Sequence, residues 1–168
     1  MKIRRATESD AAALLAVYAP FVEGSAVSFE AEVPTVAEFA GRIRTANDGW
    51  GWILAEEEDR LLGYAYGSAH RARAAYRWST EVSAYLAPEA RGGGVGRALY
   101  TQLFAELAAL GYCHAFAGIT LPNEPSVGFH RAMGFEPIGV FRKVGRKLGA
   151  WHDVAWLQRE LRAAPPEG

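Results

Sequence analysis

Between two arginines the chain reads Arg91-Gly92-Gly93-Gly94-Val95-Gly96-Arg97, with an apolar, strand-like run before it and a helical leucine pattern after it. A loop in that position ends where a helix begins, and there the unpaired backbone N–H groups and the positive end of the helix dipole attract an anion. Glycines let the backbone approach such a ligand and turn with positive φ. The chemistry this favours is a grip on phosphate. Two phosphate loops are excluded: a P-loop needs Gly-Lys-Ser/Thr, and no lysine lies between Lys2 and Lys143, while the dinucleotide fingerprint needs a glycine where Arg97 stands. Glu81 lies on the strand leading into the loop, beside the apolar Val82 and Ala84. A carboxylate there can take a proton from a substrate, directly or through a water; a solvated strand residue or an ion-pair partner of Arg77 is the other reading. Arg71 and Arg73 offer planar guanidinium forks that suit a substrate carboxylate, and they equally suit a solvated loop. His70, His114 and His152 have no metal-ligand spacing among themselves, so no metal site is expected.

Read as Arg-x-x-Gly-x-Gly on Arg91, Gly94 and Gly96, the loop resembles that of the Gcn5-related N-acetyltransferase (GNAT) superfamily. Two further features carry the resemblance: Tyr85-Leu86 just before the loop, and Asn123 followed by a short helix ending in Met133-Gly134-Phe135. It runs over essentially the whole chain and narrows to the phosphinothricin acetyltransferase branch, which also acetylates methionine sulfoximine and methionine sulfone. The strings that narrow it are Arg71-Ala72-Arg73-Ala74-Ala75-Tyr76-Arg77-Trp78-Ser79-Thr80-Glu81, Leu121-Pro122-Asn123-Glu124-Pro125-Ser126-Val127 and Gly149-Ala150-Trp151-His152-Asp153-Val154.

The resemblance implies an acyl-CoA N-acyltransferase fold and direct transfer of acetyl from acetyl-CoA to the amine of a small amino acid or analogue. It implies that Ala84, Tyr85, Leu86, Arg91, Gly92, Gly93, Gly94, Val95, Gly96, Arg97 and Asn123 hold acetyl-CoA; by their chemistry Arg71, Arg73, Tyr76, Glu81 and Trp151 are the candidates to hold the amine, while Tyr76, Trp78 and Trp151 suit core packing at least as well. Glu81 stands at the family's general-base position. An α-amino group has a reference pKa of about 8 and is mostly protonated at pH 7, so attack on a thioester needs such a base. By the same resemblance the Leu86 N–H stabilises charge gathering on the thioester oxygen. His130 stands where many relatives have a tyrosine, either as acid for the departing thiolate or as a hydrogen-bonding lining residue. Gly92-Gly93 departs from relatives that often carry a basic or polar residue there, which weakens part of the phosphate grip. A homodimer is also implied. A broad L-amino acid N-acyltransferase and a non-catalytic acyl-CoA sensing module are the alternatives, and Glu81 argues against the sensor, which needs no base.

These residues need a framework. Thr7-Glu8-Ser9-Asp10 is a capping sequence that starts a helix with Leu14, Leu15, Val17 and Tyr18 on one face, and Pro20 discourages its continuation. Thr35-Val36-Ala37-Glu38 opens a second helix that carries Phe39 and Ile43 and closes near Gly49. Trp50–Ala55 and Leu61–Tyr66 form an antiparallel hairpin about the solvated Glu56–Asp59 turn, and Ile3–Ala6 is an edge strand. Ser79–Leu86 is a strand, and Leu99, Leu103, Leu107 and Leu110 recur at helical spacing up to Gly111. A strand at Ala115–Leu121, a helix at Pro125–Met133 and strands at Ile138–Val144 and Asp153–Leu161 complete the chain. The order predicts an α/β domain with a mixed, mostly antiparallel central sheet flanked by helices.

With 168 residues, 50% of them hydrophobic, the chain supports one domain, assigned to residues 1–162, with a disordered tail over residues 163–168. Eighteen Lys+Arg against nineteen Asp+Glu leave a net charge of −1, which offers no global field for nucleic acid or an anionic membrane. The single cysteine, Cys113, cannot close an internal disulfide, and no apolar run is long enough to cross a bilayer. A cytoplasmic protein is expected.

Overall fold

The computed structural model describes residues 1–166. Its strands are β1 (Lys2–Arg5), β2 (Trp52–Glu57), β3 (Arg60–Ala69), β4 (Ser79–Leu86), β5 (His114–Thr120), β6 (Glu136–Lys147) and β7 (Ala150–Glu160). They form one sheet in the order β1-β2-β3-β4-β5-β7-β6. Every neighbouring pair is antiparallel except β4 and β5, which run parallel. The mixed, mostly antiparallel sheet read from the sequence is the one present.

Side chains alternate across the strands, so each face of the sheet meets its own helices. Ile53, Ala65, Val82, Ala115 and Ala117 turn to one side, where α3 (Val95–Ala109) lays down Leu99, Leu103 and Leu107. Trp52, Leu54 and Tyr64 turn to the other, against Leu14 and Tyr18 of α1 (Ala11–Gly24) and Phe39 and Ile43 of α2 (Val36–Gly49). The short α4 (Glu124–Ala132) joins the α3 side through Val127 and Phe129. Leu110 shares the helical period of the α3 leucines but lies past the end of α3 and is 48% exposed.

Both capping boxes form: Thr7 with Asp10, on a 3-10 turn that runs into α1, and Thr35 with Glu38 at the start of α2. Pro20 does not end α1, contrary to the expectation. The helix continues for four residues to Gly24 because its last turn has surfaces to bury: Val22 is fully packed and the Phe21 ring lies 5.1 Å from that of Tyr85. Strands β6 and β7 are longer than their apolar cores suggested and turn tightly at Leu148-Gly149, both with positive φ. The segment between α1 and α2 has no regular structure but is tied down. Tyr18 bonds Ser28 and Glu30, Arg42 grips Glu30, Lys147 Nζ donates to the Ser28 carbonyl, and Phe29 packs on Gly145. At the other end of the chain the Pro166 ring lies against Gly111. The last two positions assigned to the tail, 167–168, lie outside the described residues. Among the described residues no helix is long and apolar enough to cross a membrane.

One close approach shapes the loop end of β4. A Cβ added at Gly63 would lie 2.5 Å from Leu86 Cδ2 and 2.7 Å from the Tyr85 carbonyl oxygen. The side chain can swing away, but the backbone oxygen cannot move without shifting β4. Gly63→Ala is therefore expected to destabilise the protein by about 1–3 kcal/mol, the usual penalty of overpacking. Urea unfolding checks this, with a lower midpoint at unchanged slope.

Candidate active site

Strands β4 and β5 pair over only three residues, Ser79, Thr80 and Glu81 against His114, Ala115 and Phe116. Beyond Glu81 the two strands part, and a cleft opens between Val82–Leu86 and Ala117–Thr120. Its outer part, about 800 Å³, is lined by Leu86, Arg91, Gly94, Gly96, Asn123 and Phe129. A narrower recess beneath it is walled by Ser83, Ala117, Thr120, Tyr100 and His130. Because Ala87 donates its N–H to Leu62 on β3, strand alternation turns the Leu86 N–H the other way, into the cleft.

The glycine loop closes one end. Gly94, with φ of 81°, caps α3, and Gly92 has φ of 78°; a Cβ at either would meet nothing within 4 Å. These two glycines are held by backbone conformation, and they leave open space before the free N–H groups of α3. Gly96 differs: a Cβ there would sit 3.0 Å from Phe129 Cζ, so it lets α3 and α4 approach. Tyr85, Val95 and Arg97 join the lining, while Gly93 stays in the loop without facing the cleft. Arg91 lies over the Phe21 ring, 5.8 Å from its centroid. The Asn123 side-chain oxygen accepts from Ser126 N at 3.3 Å, so this asparagine also caps α4. A loop of open-backbone glycines, free amides and two arginines suits a pyrophosphate, and the cleft behind it has room for a chain attached to that pyrophosphate.

Glu81, about one-third exposed, stands where the strands part. Burial pushes its carboxyl above the usual range, opposed by a hydrogen bond with His70 and by the charge of Arg71. Its partner is His70, with Nδ1 3.1 Å from Oε2. Arg77 instead lies 4.9 Å over the Trp78 ring. Arg71, Arg73 and Tyr76 share the exposed segment between β3 and β4, with Tyr76 edge-on to His70. Trp151 is not brought to the cleft: it is 55% exposed at the start of β7, beneath Arg146. The sequence reading missed His70, which carries no motif, and Phe21, Val27, Phe129 and Tyr100, whose apolar types read as ordinary core.

The family description "Acetyltransferase (GNAT) domain" matches residues 3–156. The chain belongs to the GNAT family. It is 37% identical to a phosphinothricin N-acetyltransferase of Streptomyces viridochromogenes over 99% of this chain and 91% of that protein. It is 31% identical to an L-methionine sulfoximine/L-methionine sulfone acetyltransferase of Salmonella typhimurium, over 98% of each. A GNAT superfamily phosphinothricin acetyltransferase from Sinorhizobium meliloti, solved in complex with AcCoA, superposes with a TM-score of 0.93 at 38% identity, covering 99% of this chain and 94% of that one.

Within this GNAT fold the walls of the recess have a fixed protonation pattern. His130 Nδ1 donates to the Ser126 carbonyl at 2.8 Å, because a carbonyl can only accept. Nε2 is then the lone pair, and it accepts from Tyr100 Oη at 2.9 Å. Burial lowers the imidazole pKa below its ordinary value, outweighing the Ser126 bond. The folded ring stays neutral where the unfolded ring charges, so the unfolded state binds more protons and stability is lost as pH falls through about 6.5. His130→Asn should therefore flatten the loss of stability between about pH 7 and pH 5. Urea unfolding of both proteins across that range checks it, and parallel wild-type and variant curves would contradict it.

Proposed function

We propose that the protein transfers acetyl from acetyl-CoA to the amine of a small amino acid or analogue, the substrate class represented by phosphinothricin and methionine sulfoximine. The observation that carries this reading is that one strand joins the two halves of the chemistry: β4 presents Glu81 where it leaves β5 and ends at the glycine loop. Arg91, Arg97 and the amides at the start of α3 would hold the pyrophosphate, and the bound thioester supplies the acetyl group. Val82–Leu86 would line its acyl end, with the Leu86 N–H as donor to the thioester oxygen. Glu81 takes the amine proton, directly or through a water; the nitrogen would bond the acetyl carbon as the carbon–sulfur bond breaks and coenzyme A leaves as its thiolate, while Arg71 and Arg73 meet the substrate carboxylate. His130 enters as the hydrogen-bonding wall that orients Tyr100, since burial and its two bonds leave it no spare proton. Two copies associate in this reading: Ile138, Val140, Phe141 and Val144 of the edge strand β6, with Trp151 of β7, are all about half exposed, apolar surface at the sheet edge that a second chain would cover. A cytoplasmic site and no nucleic-acid partner fit the lone buried cysteine and the net charge of −1.

Thiol release from acetyl-CoA across amino acids, phosphinothricin, methionine sulfone and aminoglycosides tests the reaction class; a sensing module would release none with any amine. Glu81→Gln keeps size and hydrogen bonding but cannot accept a proton. It should lower kcat/KM at neutral pH by roughly 10²–10⁴ while acetyl-CoA binding survives. The deficit should shrink as pH approaches the substrate amine's own pKa, whereas wild-type rates across the range would remove Glu81 as the base.

A separate comparison addresses the arginines. Arg73→Ala is expected to raise KM for a carboxylate-bearing amine and to leave an uncharged alkylamine little affected, and Arg71→Ala should do the same at pH well above the Glu81 titration, where its charge no longer bears on the base. Equal losses for both amines would assign the arginines to structure.

A further inference from the structure

His70 follows the end of β3 and takes no part in the steps above. Its ring lies face to face on Phe116 of β5, with centroids 4.4 Å and planes 12° apart. Tyr76 meets it edge-on at 5.7 Å, and the His70 side chain is only 12% exposed. With its plane fixed on Phe116, the ring directs Nδ1 at Glu81 Oε2, 3.1 Å away. An ionised carboxylate only accepts hydrogen bonds, so Nδ1 carries the proton in this contact.

We propose that His70 is a positioning residue for Glu81: its Nδ1–H fixes Oε2 in the partly buried cleft, which leaves Oε1 to receive the amine proton. The inference rests on the reading of Glu81 as the base. In the step itself an amine N–H bond breaks, its electron pair stays on nitrogen, and the proton forms an O–H bond at Oε1. His70 keeps its own proton throughout. The titratable groups placed against His70 are Glu81 from β4 and Tyr76 from the β3–β4 segment, Phe116 covers its face from β5, and Arg71 acts on Glu81 through its charge. Burial works against the carboxylate's charge, and the His70 hydrogen bond is the largest opposing influence.

The decisive measurement is the pH profile of kcat/KM for the amine. His70→Phe keeps an aromatic ring to stack on Phe116 but has no N–H, so burial acts on Glu81 with less opposition. The acid limb should move to higher pH by about one unit, with acetyl-CoA affinity unchanged by calorimetry. His70→Asn places an amide N–H near the position of Nδ1 and should return the limb toward wild type. His70→Leu replaces the phenylalanine variant if that one does not fold. The amine's own pKa is common to every variant, so a displaced limb reports the enzyme. A His70→Phe limb at the wild-type position, or a His70→Asn limb displaced equally, overturns the proposal. Glu81→Gln run alongside separates the two readings. An inactive Glu81→Gln with a wild-type His70→Phe profile overturns the role of His70 alone, whereas an active Glu81→Gln removes the base and this inference with it.

Discussion

Two parallel strands that stay paired for three residues and then separate are the constraint on which the rest depends. A sheet normally consumes the N–H and C=O groups on both edges of an internal strand. Here β4 is paired with β3 from Thr80 to Leu86 on one side and released on the other after Glu81, so a stretch of backbone in the middle of the sheet faces a cleft. Such an opening is tolerable only if other elements line it. The glycine loop, the start of α3, α4 and the segment before α2 all do so. Gly63 contributes from behind, by letting β3 run close under Tyr85 and Leu86.

The same separation sets the electrostatics. Glu81 occupies the last paired position, deep enough for desolvation to raise its pKa and open enough to meet a substrate. A few residues along, the recess wall is more deeply buried, and the Ser126–His130–Tyr100 chain satisfies its polar atoms internally. One region is thus arranged to change charge and its neighbour to keep none. With Glu81 as the proposed base, a neutral wall beside it leaves no second group there to compete for the amine proton.

Much of this was legible in the chain itself. The glycine cluster, the strand before it and the Asn123 helix form a local pattern whose meaning depends on sequence order, and local patterns survive into structure. Both capping boxes formed for the same reason. What was not legible depended on contacts between distant segments. Pro20 opposes a helix locally, yet Phe21 and Val22 find partners that outweigh it. Tyr100 sits in a run of α3 core residues, and its hydroxyl finds His130 only when α4 folds beside it. His70 is an isolated histidine after a strand. Its pairing with Glu81 follows from the β3–β4 register, in which Ser68 lies opposite Glu81. Trp151 sits in a string that resembles the family's, but such a resemblance does not say which way the ring turns.

The irregular segment between α1 and α2 carries one more consequence. Val27 lines the cleft, and the residues just after it are anchored to three elements: Tyr18 of α1, Arg42 of α2 and Lys147 of β6. A loop of this length would ordinarily surrender roughly 1–2 kcal/mol of backbone freedom per residue on closing over a ligand. Here folding has already removed that freedom, so this wall of the cleft is preorganised and a ligand loses little affinity in ordering it.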